Sequence, residues 1–460
     1  MLFINREKEL AFLETEYQSD EASFVVIYGR RRIGKTTLIK EFILNKPAIY
    51  FLATQEAISQ NLAVLTHLIA DFTDNSLLKN SKGHPWDTLI REFANYKKET
   101  KKILVIDEFQ YLEMSQKGFA SVFQRIWDEI LQNKNVMIIL CGSYISMMKS
   151  QTLYYSSPLY GRRTGQINLR QIDFYHYHQF FPKQQKDLID YYSVTGGVPR
   201  YIDAFKDEKK LMQGIKEKIL NPQTFLYEEP VFLLEKELKE TGSYFSVLKT
   251  IAEGNHKLSR IASRLEVKQS FLTPYLSTLI EMDIVERRVP VTEENLQRSK
   301  KGLYFIKDNF LLFWFRYCYP YQTYLQINQT DFVMQQIKKD FQTHHVSHIY
   351  ENICEQMLIR KEITKQLGLQ RIGKWWSKNE EIDIVGLNPE KKIILLAECK
   401  NTSHPQGMEL YHSLVEKSKK VQWHNTERKT YYAFFSRKGF DSNFKAFATE
   451  KENVFLFTPY

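Results

Sequence analysis

From residue 1 to about residue 170, short apolar runs alternate with amphipathic stretches. SFVVIY, AIYFLAT, KILVIDE and NVMIILCGS are apolar almost throughout and rich in β-branched residues, the pattern of strands buried on both faces. TTLIKEFIL between them has helical spacing. Strands alternating with helices predict a parallel sheet with helices on both faces. From 171 to 240 the chain turns helical and aromatic, in FYHYHQFF and LIDYYSVTGGVPRYIDAF, and reads as a small helical lid. From 241 to 308, YFSVLKTIAEG, LSRIASRLEV and KQSFLTPYLSTLIEM predict three helices, and DIVERR and KKGLYFIKD two strands. That is the order of a winged helix-turn-helix. Residues 309–340 predict an aromatic helical connector. From 341 to 460 an amphipathic helix, HHVSHIYENICEQMLI, precedes two strands joined at Asn388-Pro389, and further α/β pattern follows. The predicted fold class is α/β and multidomain: a P-loop parallel sheet (1–170), a helical lid (171–240), a winged helix (241–308), a connector (309–340) and a C-terminal α/β domain (341–460).

Composition changes this picture little. The 460 residues are 43% hydrophobic, 14% aromatic and 26% charged, which is that of a folded chain and excludes a disordered one. The net charge of +10 is compatible with nucleic acid but is spread over a long chain. Cys141, Cys318, Cys354 and Cys399 fall in no CxxC or metal-like spacing and read as reduced thiols of a cytoplasmic protein. MLFINREKEL lacks the apolar core of a signal peptide, and FLLFWF (Phe310–Phe315) is too short to span a bilayer, so no membrane partner is expected.

The first chemical motif is GRRRIGKTT, from Gly29 to Thr37. It fits GxxxxGK(S/T), follows an apolar strand and opens a helix. Gly29 and Gly34 let backbone amides curl around phosphates, and the helix N-terminus adds its positive end. Lys35 is expected on the β- and γ-phosphates and Thr36 on Mg²⁺, with Thr37 beside it in the cofactor-binding set. ILVIDEFQYL ends a buried strand in two acids. Asp107 suits the metal and Glu108 suits the attacking water. Ser143, at the end of IILCGSY, could sense the γ-phosphate or simply cap a turn. Arg162 and Arg163 in PLYGRRTGQI are candidate arginine fingers or solvated surface charges; a finger acting in trans would imply an oligomer. Gly196, Gly197 and Pro199, in TGGVPRYI, suit a tight turn of the lid that closes over adenine, or an ordinary turn. No NKxD-type guanine-reading motif occurs, which favours ATP over GTP.

FINREKEL, GRRRIGKTTLI, LVIDEFQYL, CGSY, PLYGRR and TGGVPRYI occur in the order seen in archaeal-type ATPases. The first half of the chain therefore resembles that AAA+-related family, close to the STAND and origin-recognition ATPases. The resemblance implies that Arg6 lies in a stretch lining the nucleotide base and that the GGVP segment, with Pro199, lies in the lid.

The winged-helix reading makes Lys268, Gln269, Ser270 and Thr273 candidates for base or backbone contact. Arg287, Arg288, Lys300 and Lys301 on the wing would meet phosphates, with DNA as the expected partner. Glu281, Asp283 and Glu286 close by suit a protein-binding module instead.

The stretch EIDIVGLNPEKKIILLAECK poses a separate question, because three charges sit on two otherwise apolar strands. Asp383 alternates with Ile382 and Ile384, and Glu398 and Lys400 share a face. Paired as a hairpin, the strands would bring the three together. Two carboxylates suit Mg²⁺ or Mn²⁺, and Lys400 suits an attacking water or a developing phosphorane. The alternative is a structural ion pair. Glu351, on the preceding helix with Ile349, Ile353 and Met357, adds a third carboxylate. His344, His345 and His348 before it could extend a metal site, but read first as surface or capping residues.

Helix-Glu, strand-Asp and strand Glu-x-Lys together resemble the PD-(D/E)XK nuclease core. With KGLYFIKDNFLLFWFRYCYP, HIYENICEQM and GKWWSKNEEIDIV, nearly the whole chain resembles bacterial and archaeal DEXX-box ATPases. Those carry a C-terminal domain of unknown function related to restriction-type nucleases. The proline of the motif is absent, since Ile382 precedes Asp383. The resemblance implies an ATPase joined to a restriction-endonuclease-like domain with Glu351, Asp383, Glu398 and Lys400 at its site. The rival expectation is a nucleotide-dependent regulator whose C-terminal domain only docks. RNA as target stays open through Trp375 and Trp376.

Overall fold

The computed structural model describes residues 3–80, 83–181, 187–238, 240–378 and 380–459. The chain divides into two compact units. One comprises Met1–Ile172, Val198–Arg200 and Glu281–Asp283; the other comprises the rest.

The first unit is built on β1 (Ser23–Tyr28), β2 (Ala48–Leu52), β3 (Lys102–Asp107), β4 (Val136–Gly142) and β5 (Gly165–Asn168), in the order β2-β3-β4-β1-β5. Every neighbouring pair is parallel. β1, β3 and β4 are buried at every position, as their unbroken apolar runs require. Phe24, Phe51, Leu104, Phe109, Phe123 and Ile138 belong to one continuous core. Parallel order sends the carboxyl ends of β1, β3 and β4 to one edge, the place where such sheets bind ligands. Gly29, Asp107 and Gly142 stand at those ends.

The second unit opens with aromatic helices. The helix Asn309–Tyr317 is buried at eight positions of nine, so the block expected as a connector is the centre of this unit's helical core. Asp308 caps it through Leu311 N at 2.7 Å, Asn309 Nδ2 donates to Tyr192 O at 3.0 Å, and Trp314 Nε1 donates to Tyr227 O at 2.8 Å. Helices Gly242–Ala252, Leu258–Arg264 and Gln269–Glu281 precede the antiparallel pair β6 (Val285–Arg288) and β7 (Leu303–Ile306).

The C-terminal sheet joins β8 (Arg371–Ser377), β9 (Glu380–Asn388), β10 (Ile393–Lys400), β11 (Lys429–Ser436) and β12 (Val454–Phe457), in the order β12-β11-β10-β9-β8. β8, β9 and β10 are antiparallel neighbours, and β10, β11 and β12 parallel ones. Helices Ser347–Arg360 and Met408–Ser418 both pack on β9 and β10. Between β8 and β9 the register slips. Gly373 pairs with Val385 but Trp375 pairs with Ile382, so three steps of β9 face two of β8 and a bulge falls at Asp383-Ile384. Bulges re-aim side chains, and this one carries a candidate site residue.

Of the histidines before Glu351, His344 is exposed, whereas His345 and His348 depart from a surface role. His345 is 2% exposed, and its Nε2 lies 2.8 Å from Ser193 O. His348 stacks on Phe305 and His256. Burial lowers the pKa of both, that of His345 to about 4, against a Ser193 carbonyl that pulls it up. A folded pKa below the unfolded one gives stability that is complete above the unfolded value and lost as pH falls. Lowering pH from 7 to 4 should cost about 3 kcal/mol through His345. Urea titrations at both pH values check this: the His345→Gln variant should show a smaller loss than the wild type.

Candidate functional site

The phosphate loop is shaped by its glycines. Gly29 (φ +154°) has no room for a Cβ, which would overlap Leu169 O and Ile33 Cδ1. Gly34 (φ +96°) is left-handed with open space over its Cα, the concavity that a phosphate needs. The helix Lys35–Ile43 begins there. Lys35 is buried and its Nζ donates to Gly29 O and Arg30 O, both at 2.9 Å. Burial lowers its pKa, with Glu108 and Asp107 among the groups that oppose the shift.

Thr36 Oγ1 donates to Asp107 Oδ2 at 3.1 Å, so the two residues expected to serve Mg²⁺ meet. Tyr50 OH donates to the same oxygen, and Asp107 Oδ1 accepts from Glu108 N at 2.9 Å. Glu108 has φ +55°, a conformation that costs a non-glycine residue about 1–3 kcal/mol. Its carboxylate accepts from Ser143 Oγ at 2.8 Å and from Gln110 Nε2. Ser143 therefore stands beside the candidate base. Tyr50 and Gln110 were not anticipated from the motifs. Gln110 lies two residues past Glu108, and Tyr50 one position before a buried Phe, so only packing reveals them.

The remaining candidates sit around this centre. Arg6 is 5% exposed and its Nη2 donates to Ile33 O at 3.2 Å and Arg170 O at 2.7 Å, bracing the loop from behind. Arg162 is held in a bidentate pair with Asp128, with both contacts at 2.8 Å. Arg163 donates to Thr152 O at 3.3 Å. Thr37 is the third residue of the helix Lys35–Ile43, and Pro199 opens the helix Pro199–Phe205, with Val198–Arg200 belonging to this first unit.

In the second unit, Lys268, Gln269, Ser270 and Thr273 are exposed. The cations expected on a wing are mostly engaged internally. Arg287 donates to Leu296 O and Ser299 O, Arg288 pairs with Glu286 and Asn352, and Lys301 pairs with Glu293.

The C-terminal candidates converge. Ile384 pairs with Ala397, which sets Asp383 opposite Glu398, and Asp383 Oδ2 accepts from Cys399 N at 2.8 Å. Glu351 faces Lys374 Nζ, a residue the motif did not single out. Glu398 accepts from Lys417 at 2.7 Å and from Lys400 at 3.3 Å. Three carboxylates thus meet three ammonium groups. Burial, then Glu351, raises the Asp383 pKa to about 6. Burial and Asp383 raise that of Glu398. For Lys374 burial pulls downward, but Glu351 and Asp383 outweigh it and the net shift is upward. The donors are hard oxygens of the kind a divalent cation takes. Lysines hold the oxygens of Glu351 and Glu398, and among the described residues no group of three or more His, Cys, Asp or Glu is arranged to hold a metal.

Residues 3–205 match the model of an ATPase domain predominantly from Archaea, and residues 314–420 match that of archaeal and bacterial proteins of unknown function. The uncharacterized protein MJECL04 of Methanocaldococcus jannaschii is 36% identical over 442 residues, covering 95% of this chain and 96% of its own length. The uncharacterized ATP-binding protein MJ0423 of the same organism is 50% identical over 46 residues, 10% of this chain and 78% of its own. The Walker-type ATPase PABY2304 of Pyrococcus abyssi shares the fold, with a TM-score of 0.53 at 21% identity, over 68% of this chain and 96% of that one. The chain belongs to the family of MJECL04, and its first unit is an archaeal-type P-loop ATPase domain. Among the described residues no helix is long and apolar enough to cross a membrane.

The Asp383 shift carries a sign. A folded pKa raised from 3.8 to about 6 gives stability that is complete below 3.8 and lost as pH rises through 6. Asp383→Asn should raise stability by about 1–3 kcal/mol at pH 7.5 without divalent metal, and by little at pH 3.8. Denaturant melts at the two pH values measure it; a destabilised variant at pH 7.5 would contradict the assignment.

Proposed function

We propose that this chain is an ATP-hydrolysing switch coupled, through a winged helix that meets DNA, to a metal-dependent nuclease domain. The observation that carries the first part is the placement of Glu108. A strained carboxylate at the end of β3, tethered to Ser143 and Gln110 and adjacent to the Thr36–Asp107 pair, is a base poised beside a phosphate loop. Thr36 and Asp107 would hold the Mg²⁺ that accompanies ATP, and that ion supplies charge neutralisation at the phosphates. Lys35 leaves the loop carbonyls for the β- and γ-phosphates. Glu108 orients a water and takes its proton as the oxygen attacks the γ-phosphorus. Ser143, bonded to Glu108, is suited to link base position to the presence of the γ-phosphate.

The nuclease part is supported by the convergence of Glu351, Asp383, Glu398 and Lys400. A buried carboxylate with a raised pKa gains from a cation more than a satisfied ion pair does. Asp383, Glu398 and Glu351 would hold Mg²⁺ or Mn²⁺ once Lys374 and Lys417 release the oxygens they now occupy, and that ion would activate water and polarise a phosphodiester. Lys400 would steady the developing charge. The exposed Lys268, Gln269, Ser270 and Thr273 are the part of the three-helix module free to meet DNA.

A second function is favoured by one observation: the carboxylates and lysines of the C-terminal cluster balance one for one. On that account the chain is a nucleotide-dependent regulator, and the C-terminal domain is a docking platform.

The deciding experiment incubates the full chain with plasmid, single-stranded DNA and RNA, plus Mg²⁺ or Mn²⁺, with and without ATP. The nuclease proposal expects cutting that Asp383→Ala abolishes and Lys35→Ala alters. ATP turnover with no cutting under either metal would refute it and leave the regulator.

A further inference from the structure

ATP hydrolysis concentrates negative charge on the γ-phosphoryl group, and P-loop enzymes commonly meet it with an arginine. The two arginines whose motif suggests that role are otherwise engaged. Arg162 is forked onto Asp128, and Arg163 bonds the Thr152 carbonyl and lies over the Tyr160 ring. Arg31, third residue of the phosphate loop, is placed differently. Its Nη2 donates to Tyr111 OH at 2.9 Å, and its Cζ lies 5.4 Å from the centre of the Tyr144 ring. Those two rings pack edge to face at 5.9 Å. Tyr111 follows Gln110 and Tyr144 follows Ser143, and Gln110 and Ser143 are the two residues that hold Glu108. The guanidinium is also within electrostatic reach of Lys35. Among the described residues no carboxylate pairs with Arg31, and its buried Nε has no hydrogen-bond partner. A buried donor left unsatisfied calls for an acceptor.

On the ATPase account above, we infer that Arg31 is the arginine that stabilises the transferring γ-phosphoryl group, supplied by the same chain that binds the ATP. In that step the water oxygen bonds to the γ-phosphorus as the bond from phosphorus to the β–γ bridging oxygen breaks. The electron pair leaves on the β-phosphate of ADP, and the water proton goes to Glu108. Arg31 neutralises charge spread over the γ-oxygens. Tyr111 and Tyr144 are positioning residues: a hydroxyl fixes one edge of the planar cation and a ring face supports it.

The test measures ATP turnover and nucleotide binding on the full chain with Mg²⁺. Arg31→Ala should lower kcat by about 10³-fold while the Kd for ATP stays within about threefold. It should also lose tight binding of ADP with aluminium fluoride, which mimics the transferring group. Arg31→Lys should stay well below wild type, because an ammonium lacks the planar fork. Tyr111→Phe should lower kcat with unchanged Kd. Wild-type kcat per chain should not depend on chain concentration. The inference is overturned if Arg31→Ala keeps kcat within about threefold, or if it loses ADP affinity together with turnover, as a loop-building role requires. It is equally overturned if turnover rises with chain concentration and vanishes in Arg162→Ala or Arg163→Ala, which places the finger on a neighbouring copy. A wild-type chain that binds Mg-ATP but never turns it over would instead strike the ATPase account beneath it.

Discussion

The carboxylate of Asp107, 3% exposed at the end of β3, is the junction of the first unit. It accepts from Tyr50 on β2, from Thr36 at the head of the helix after the phosphate loop, and from the amide of Glu108. A buried carboxylate must be supplied with donors or lose its charge. Meeting that demand locks two strands and a helix into one geometry. It also forces the next residue, Glu108, into a left-handed turn that aims it at Ser143 and Gln110. Strain at a single residue is tolerated here because the surrounding bonds over-determine it.

The second unit meets the same demand with lysines. Asp383 and Glu398 lie on neighbouring buried strands, and burial raises both pKa values, helped by the Glu351 charge at Asp383 and by the Asp383 charge at Glu398. Lys374, Lys400 and Lys417 offset them. Among the described residues the close donor to Asp383 is the Cys399 amide, and its charge remains costly. The bulge at Asp383-Ile384 turns the carboxylate toward that cluster at the expense of regular pairing. A domain that keeps such a carboxylate gives up stability that an apolar residue would return.

Much of this was legible in the chain. GRRRIGKTT between an apolar strand and a helix specifies a phosphate loop, because glycine placement, lysine and hydroxyl are all required by the phosphate. The alternation of strands and helices located the sheet, and the hairpin around Asn388-Pro389 located the partnership of Asp383 with Glu398. Other features depend on what folding brings together. Periodicity cannot distinguish a connector from a core helix when every face is apolar, as in Asn309–Tyr317. Lys374 precedes a Trp pair on β8 and carries no motif; only the register of β8 against β9 and the helix packed over them bring it to Glu351. His345 looked like a surface residue because three histidines in five positions suggest polarity, yet the helical turn buries that one ring against Ser193. The arginines of PLYGRR read equally as fingers or as surface charges, and only folding brings Asp128 to Arg162.

The most direct measurement is ATP turnover by wild-type chain and the Glu108→Gln variant, with ATP affinity determined on both in Mg²⁺. The account predicts turnover by the wild type, a loss of about 10²–10⁴-fold in Glu108→Gln, and ATP affinity within a fewfold of wild type, since the carboxylate acts on water and not on binding. Turnover preserved in the variant, or affinity lost along with it, would contradict the placement of Glu108 as the base beside the phosphate loop.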